Sequence, residues 1–338
     1  MKILIDMPHD ADGLDALVAL PGVEVAYVED DPGSEAQREL PVSLIRDREA
    51  IFCMLPPQNV AEMKELRFIQ IGSAGYAQLF GLGLTERGIR ACNAVGVHAV
   101  AIAEWSMAMM INLARDLRGM IRNQETAVWE RHARFQQEIR GSTLGVWGYG
   151  AIGREAARQA KALGLKVHVM DRGAVVACPN VYRMDGTGDQ EGTLPDRVFL
   201  PEQKRAFLSG LDFLLLSMPL TSATEGIVGR EELAMLRPSC FILNPARGPL
   251  IQEEALLNVL REGRIAGAAL DTHYHYPMPP DHPLWRFPNV IMTPHISGST
   301  LSPHYRTRVW ELFVKNVRHF SDGETLLNEL TPEQLQGQ

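Results

Sequence analysis

Cysteine is scarce in this chain of 338 residues: only Cys53, Cys92, Cys178 and Cys240, widely scattered and without a C-x-x-C pair. That spacing argues against a disulfide framework and suits free thiols in a reducing cytoplasm. No uninterrupted apolar run approaches the roughly twenty residues that a membrane-spanning helix needs. The opening M-K-I-L-I-D-M-P holds an apolar run of three residues before Asp6, too short for the apolar centre of a secretory signal. Basic charge is short too. Its 33 Lys and Arg against 41 Asp and Glu leave a formal net charge of −8, so no positive field draws nucleic acid or an anionic membrane. What remains is an ordinary globular composition, 46% hydrophobic and 22% charged, long enough for two domains.

What the chain does have is a turn punctuated by glycine. Residues 142–153 read S-T-L-G-V-W-G-Y-G-A-I-G. Leu144, Val146 and Trp147 predict a short buried strand, Gly148, Gly150 and Gly153 follow in G-x-G-x-x-G order, and a helical run over 154–163 comes next. In such a turn the first glycine permits a sharp reversal, the second lets a pyrophosphate approach the backbone, and the third lets the helix pack on the strand. Dinucleotide phosphates would lie on the free N–H groups at the start of that helix. A second strand, Lys166–Met170, leads to Asp171, 18 residues beyond Gly153. A carboxylate there accepts hydrogen bonds from both ribose hydroxyls and repels a 2′-phosphate, so NAD is expected over NADP, a preference that Arg172 next door weakens.

The rest of the chain alternates strands and helices. Strands are expected at Lys2–Asp6, 23–28, 50–54 and Phe68–Ile71, with a helical segment at 14–20 and an amphipathic one at 60–66. That is a small parallel α/β domain. Its loop Gly72-Ser73-Ala74-Gly75-Tyr76 presents consecutive N–H groups that could cradle a substrate carboxylate, the alternative being a plain turn that needs glycine. Residues 101–118 are the longest helical pattern, apolar over more than one face, as in a helix between domains or at a subunit interface. Met107, Met109 and Met110 on it read as core filler. Residues 119–140 read as a polar extended arm with a lone Trp129, and 173–210 as one irregular connection within the nucleotide domain. Strands at 212–217, 240–244 and 265–270, with helices at Arg230–Met235 and 253–262, make the second half of a doubly wound sheet.

Three residues capable of chemistry stand where a strand ends, the edge at which open α/β sheets place ligands: Arg247 in N-P-A-R-G-P-L, Asp271 in A-L-D-T-H and His295 in I-M-T-P-H-I-S-G. An arginine fork binds a carboxylate and polarises a neighbouring carbonyl. A histidine passes the proton that accompanies hydride transfer. Read singly, Arg247 fits a surface ion pair and His295 a hydrogen-bonded core residue; together, downstream of a dinucleotide turn, they point to an active site.

With these residues in place the chain resembles the D-isomer-specific 2-hydroxyacid dehydrogenase family over nearly all its length. The stretches that carry the resemblance are T-E-R-G-I-R-A-C-N-A-V-G with A-V-A-I-A-E-W, the G-Y-G-A-I-G turn, S-M-P-L-T-S-A-T, L-N-P-A-R-G-P-L-I and D-H-P-L-W-R-F-P-N-V-I-M-T-P-H. The resemblance implies a Rossmann-type doubly wound parallel sheet domain, residues 100–299, inserted into a smaller flavodoxin-like α/β substrate domain made of residues 1–99 and 300–338. It implies that Arg247 binds the substrate carboxylate and keto oxygen, that His295 is the general acid/base, and that Ser73, Ala74, Gly75 and Tyr76 hold the carboxylate. The nucleotide would meet Gly148, Tyr149, Gly150, Ala151, Ile152, Gly153, Asp171 and Arg172 at the turn, and Met218, Pro219, Ala246, Arg247, Asp271 and His295 at the other strand ends, with Asp271 at the nicotinamide. Family members are commonly homodimers.

One departure stands out. Where the family has a glutamate that hydrogen-bonds the catalytic histidine, five residues after Asp271 and just before a proline, this chain has Tyr276. A carboxylate beside imidazole raises its pKa and fixes its tautomer; a neutral phenol orients the ring without supplying charge. His295 is therefore expected to titrate lower than in glutamate-containing relatives. His273 and His275, with Asp281 and His282 nearby, suggest either a metal site or plain loop histidines, and one of the pair could replace part of the missing dyad. The leading expectation is interconversion of a 2-keto acid and a 2-hydroxy acid. The alternatives are an NAD(H)-binding sensor without turnover and hydride abstraction from a small anion such as formate or phosphite. Tyr76, Trp105, Tyr276 and Trp285 are candidates to line an apolar substrate pocket, or are simply packing.

Overall fold

The computed structural model describes residues 1–34 and 36–336, which divide into two compact units. The first comprises Met1–His98, Pro179–Met184 and Thr300–Gln338, and the second Ala99–Cys178 and Asp185–Ser299.

In the first unit, strands β1 (Lys2–Asp6), β2 (Glu24–Tyr27), β3 (Ala50–Cys53), β4 (Phe68–Ile71) and β5 (Arg90–Cys92) form a parallel sheet in the order β2-β1-β3-β4-β5, the flavodoxin-like winding. Its central strands are covered on both faces: Ile3, Ile5, Phe52 and Phe68 face one core, and Leu4, Ile51, Ile69 and Ile71 the other. The first core is closed by the helix Pro303–Asp322, whose Trp310 and Phe313 pack on Phe52. That 20-residue helix, not the pattern at 101–118, is the longest in the chain. Ser302 caps it by accepting from the N–H of His304, with Pro303 at its first position. The amphipathic segment expected at 60–66 is only a short 3-10 turn, Val60–Glu62; a few residues cannot sustain an α-helix when the chain at Met63 turns away.

In the second unit, β6 (Thr143–Trp147), β7 (Lys166–Met170), β8 (Arg197–Phe199), β9 (Phe213–Leu216), β10 (Phe241–Asn244), β11 (Gly267–Leu270) and β12 (Val290–Met292) form a parallel sheet in the order β12-β11-β10-β9-β6-β7-β8. From β6 two strands, β7 and β8, run outward on one side and four, β9 to β12, on the other, the Rossmann-type doubly wound order with its switch between β6 and β9.

Several connections differ from expectation. The helical pattern at 101–118 is two helices, Ala99–Ala114 and Leu117–Glu125, broken at Asp116, which adopts a left-handed conformation (φ 44°) and caps the second helix through the N–H of Gly119. Part of the expected extended arm is thus helical; Trp129 beyond it is 91% exposed. The connection at 173–210 is not wholly irregular, because it contains β8 and the helix Lys204–Leu208. Nor does all of it stay with the second unit: Pro179–Met184 belongs to the first, where Tyr182 is buried and its hydroxyl donates to Glu311.

Candidate active site

The strands of the second unit run in parallel, so the residues that follow β6, β7, β9, β10, β11 and β12 gather along one edge of its sheet. After β6 the three glycines do different work. Gly148 has φ +96°, and a Cβ there would lie 2.9 Å from the backbone nitrogen of Met218. A Cβ on Gly153 would lie 2.5 Å from the carbonyl oxygen of Gly148 and 2.9 Å from Val146, the close approach of helix Ala151–Ala162 to the strand. Gly150 is the opposite case: a Cβ there would meet nothing within 4 Å. Open space thus stands over the amino end of a helix without a side-chain cap, whose first N–H groups have no partner within the helix. These residues fit a dinucleotide pyrophosphate.

Ser217, which sequence reasoning missed, braces the turn by donating to the carbonyl oxygen of Gly148 at 2.6 Å. Asp171, after β7, accepts from the N–H of Tyr149 at 2.7 Å and of Arg172 at 2.7 Å. One oxygen thus faces the turn and the other the N–H of the next residue, with lone pairs left for a diol. The Tyr149 side chain points inward, its hydroxyl donating to buried Asp189 at 2.7 Å beneath the Arg154 guanidinium, so only its backbone serves the turn.

Arg247 stands exposed after β10. The turn that carries it is tied down by buried Asn244, whose Oδ1 accepts from the N–H groups of Ala246 and Arg247 and whose Nδ2 donates to the Arg247 carbonyl at 2.8 Å. An asparagine at a strand end, three residues before the arginine, was the signal available for this role. The Arg247 guanidinium donates to the Ala246 carbonyl and has no carboxylate partner among the described residues.

Asp271, after β11, is fully buried. Its carboxylate accepts from Thr293 Oγ1 at 2.5 Å and from the N–H groups of Ile296 at 2.9 Å and Ser297 at 3.0 Å. Those bonds turn it toward the loop after β12 and fasten that loop on both sides of His295. His295 itself is exposed, in a left-handed conformation (φ 57°), its N–H shared between the carbonyls of Asp271 and Thr293. Trp105 donates to the Thr293 hydroxyl at 3.1 Å, a link between helix Ala99–Ala114 and the loop that sequence reasoning also missed.

Tyr276 lies against His295, the ring centroids 5.6 Å apart and tilted. Its hydroxyl accepts from the N–H of His273 at 3.2 Å and does not reach the imidazole. No side-chain hydrogen bond meets the His295 ring among the described residues. The His295 pKa lies below the ordinary imidazole value, first because protein packed against the ring removes water, then through the positive charge of Arg247 and through His273, with Asp271 opposing. Arg247 and His295 are thus electrically coupled. His273 is buried and donates to the Thr293 carbonyl, two residues before His295 rather than to its ring. His282 pairs with Glu253 at 2.6 Å, and no group of three or more candidate metal ligands occurs among the described residues. Trp285 is 44% exposed, its indole N–H given to the Pro279 carbonyl.

The loop 73–76 belongs to the first unit. Ser73 Oγ donates to the Gly75 carbonyl at 2.7 Å, and none of the hydrogen bonds among the described residues uses the N–H groups of residues 73–76.

Residues 107–297 match the family model of the D-isomer specific 2-hydroxyacid dehydrogenase NAD binding domain. The chain is 30% identical over 288 residues to a glyoxylate reductase of Thermofilum pendens, covering 83% of this chain and 80% of that one. It is 32% identical to a D-3-phosphoglycerate dehydrogenase of Methanocaldococcus jannaschii, over 89% of this chain but 54% of the longer relative. Among solved structures, an NADPH-dependent glyoxylate/hydroxypyruvate reductase of Sinorhizobium meliloti in complex with NADP and sulfate superposes with a TM-score of 0.74 over 100% of this chain and 99% of that one, at 22% identity.

Proposed function

We propose that this chain, which belongs to the D-isomer-specific 2-hydroxyacid dehydrogenase family, interconverts a 2-keto acid and a D-2-hydroxy acid with a nicotinamide dinucleotide. The observation that carries the reading is the placement of the glycine turn, Asp171, Arg247 and His295 after four strands of one parallel sheet, the guanidinium and the imidazole both exposed there and the guanidinium without a carboxylate partner among the described residues. A nicotinamide dinucleotide held at the glycine turn and Asp171 would supply or accept the hydride at C2 of the substrate.

The remaining tasks fall to the chain. Arg247 would fix the carboxylate with its fork and draw electron density from the keto oxygen. The His295 imidazolium would donate a proton to that oxygen during reduction, and the neutral ring would take it back during oxidation. Asp271 and Asn244 would act through the loops they hold. Asp171 is read as favouring NAD over NADP, because its carboxylate opposes a 2′-phosphate. For the loop 73–76 the proposal is carboxylate binding by its backbone N–H groups, and for the whole chain a homodimer in the cytoplasm. Among the described residues no helix is long and apolar enough to cross a membrane.

The test is a panel of 2-keto acids with NADH, followed by loss of absorbance, run on the wild-type protein and on His295→Asn. Turnover that His295→Asn abolishes while NADH affinity is kept supports the reading. One observation favours a second reading: the Tyr276 hydroxyl is engaged by His273, which leaves the acid/base ring without an orienting hydrogen bond and fits a weak enzyme or an NAD(H)-binding sensor. Saturable NADH binding with no turnover across the panel selects it.

A further inference from the structure

His273 is only 7% exposed, and its Nε2 lies 2.7 Å from the carbonyl oxygen of Thr293. A carbonyl only accepts, so Nε2 carries the proton. The other ring nitrogen, Nδ1, is buried without a partner. A buried polar atom left unpaired forfeits its hydration without a bond in return. A phenylalanine would fill the same space without that cost, so what the imidazole adds here is its Nε2–H.

That N–H goes to a particular place. The Thr293 carbonyl oxygen that accepts it also accepts the backbone N–H of His295 at 3.0 Å. His295 sits in the left-handed region, a conformation that persists for a residue with a side chain only where its surroundings over-determine it. The backbone of His273 reaches the other functional residues. Its N–H donates to the Tyr276 hydroxyl, whose ring lies against His295, and its carbonyl group lies within 2.5 Å of where a Cβ on Gly248, next to Arg247, would stand.

We infer that His273 is the positioning residue that locks the loop bearing His295 and registers it against the Arg247 turn and Tyr276, the imidazole Nε2–H doing this in a site without the dyad carboxylate. The inference rests on the reading of His295 as the proton-carrying group.

Three variants of the full chain test it: His273→Phe, which keeps the volume and removes the donor; His273→Gln, whose amide nitrogen reaches the position of Nε2; and His273→Asn, whose amide does not. Turnover of the best 2-keto acid with NADH is read together with NADH affinity and with the His295 ring resonance in 15N-histidine NMR, assigned by its loss in His295→Asn. His273→Phe is expected to lower kcat by about tenfold to a hundredfold, with NADH Kd changed by less than about twofold, and to move the His295 resonance. His273→Gln should return kcat to within about threefold of wild type and the resonance to its place, and His273→Asn should not. An unmoved resonance with unchanged kcat in His273→Phe, or a glutamine variant as impaired as the phenylalanine one, overturns the inference. Should the phenylalanine variant not fold, glutamine against asparagine reads the same contact. Should the wild-type protein turn over no keto acid, the dehydrogenase reading falls while the NMR comparison still decides the role of His273.

Discussion

Replacing Asp271 by asparagine should unsettle the second unit far more than an isosteric change ordinarily does. The carboxylate is fully buried and accepts three hydrogen bonds, one oxygen taking Thr293 Oγ1–H and the Ile296 N–H and the other the Ser297 N–H. In Asp271→Asn one of those oxygens becomes an NH2 group. Whichever way the amide turns, a backbone N–H then faces another donor. One charge-assisted bond is lost, worth about 1.5–3 kcal/mol, and a buried donor is left bare at a further cost of about 1–3 kcal/mol, so the net loss after relaxation should be about 2–4 kcal/mol. For a domain of roughly 150–250 residues each kcal/mol moves Tm by about 2–4 °C, which puts the expected fall at about 5–15 °C. Scanning calorimetry measures it, and NADH titration on the same samples separates two roles. If Asp271 serves the nicotinamide and not the loop, NADH affinity falls while Tm holds. A variant melting within about 1 °C of wild type would refute the reasoning.

Other expectations follow from the same edge of the sheet. Because burial and the Arg247 charge disfavour the His295 imidazolium, the ring should lose its proton below the ordinary value of about 6.5. Ketone reduction should then fall off at lower pH, and oxidation become available from lower pH; a kcat/KM profile with an acid/base pKa above about 7 would contradict this. Gly150→Ala places its Cβ in open space, so Tm should stay within about 1 °C while NADH Kd rises about tenfold or more, measured by fluorescence titration. Gly148→Ala adds a methyl group at φ +96° against the Met218 backbone and should lower Tm instead, by several degrees in a melt followed by circular dichroism. Asp171→Ala should narrow the preference for NADH over NADPH by at least about tenfold in kcat/KM; an unchanged ratio would remove Asp171 from cofactor choice.

Much of this architecture was legible in the chain because buried parallel strands are short stretches dominated by aliphatic and aromatic residues, and these mark β1, β4 and β7 to the residue even with Gln70 and His168 inside them. The glycine order, Asp171, Arg247 and His295 could be read because each depends on the chemistry of one residue at a fixed distance from a strand end. What the sequence does not carry is partnership at long range. The helix Pro303–Asp322 had local signals, a Ser-Pro start and apolar residues at helical spacing, yet that it closes the core over β1 and β3 follows from a fold that joins residues about 300 apart. Periodicity ran straight through Asp116, because a single left-handed residue breaks a helix without altering the apolar pattern around it. At the site, composition says that Asp271, His273 and Tyr276 are polar, but only the tertiary structure decides that Asp271 turns to the His295 loop, that His273 grips the Thr293 carbonyl, and that the Tyr276 hydroxyl goes to a backbone N–H. Hydrogen bonds are directional and saturable, so which donor a buried acceptor meets is settled by where the folded backbone brings them together, and no local rule encodes that.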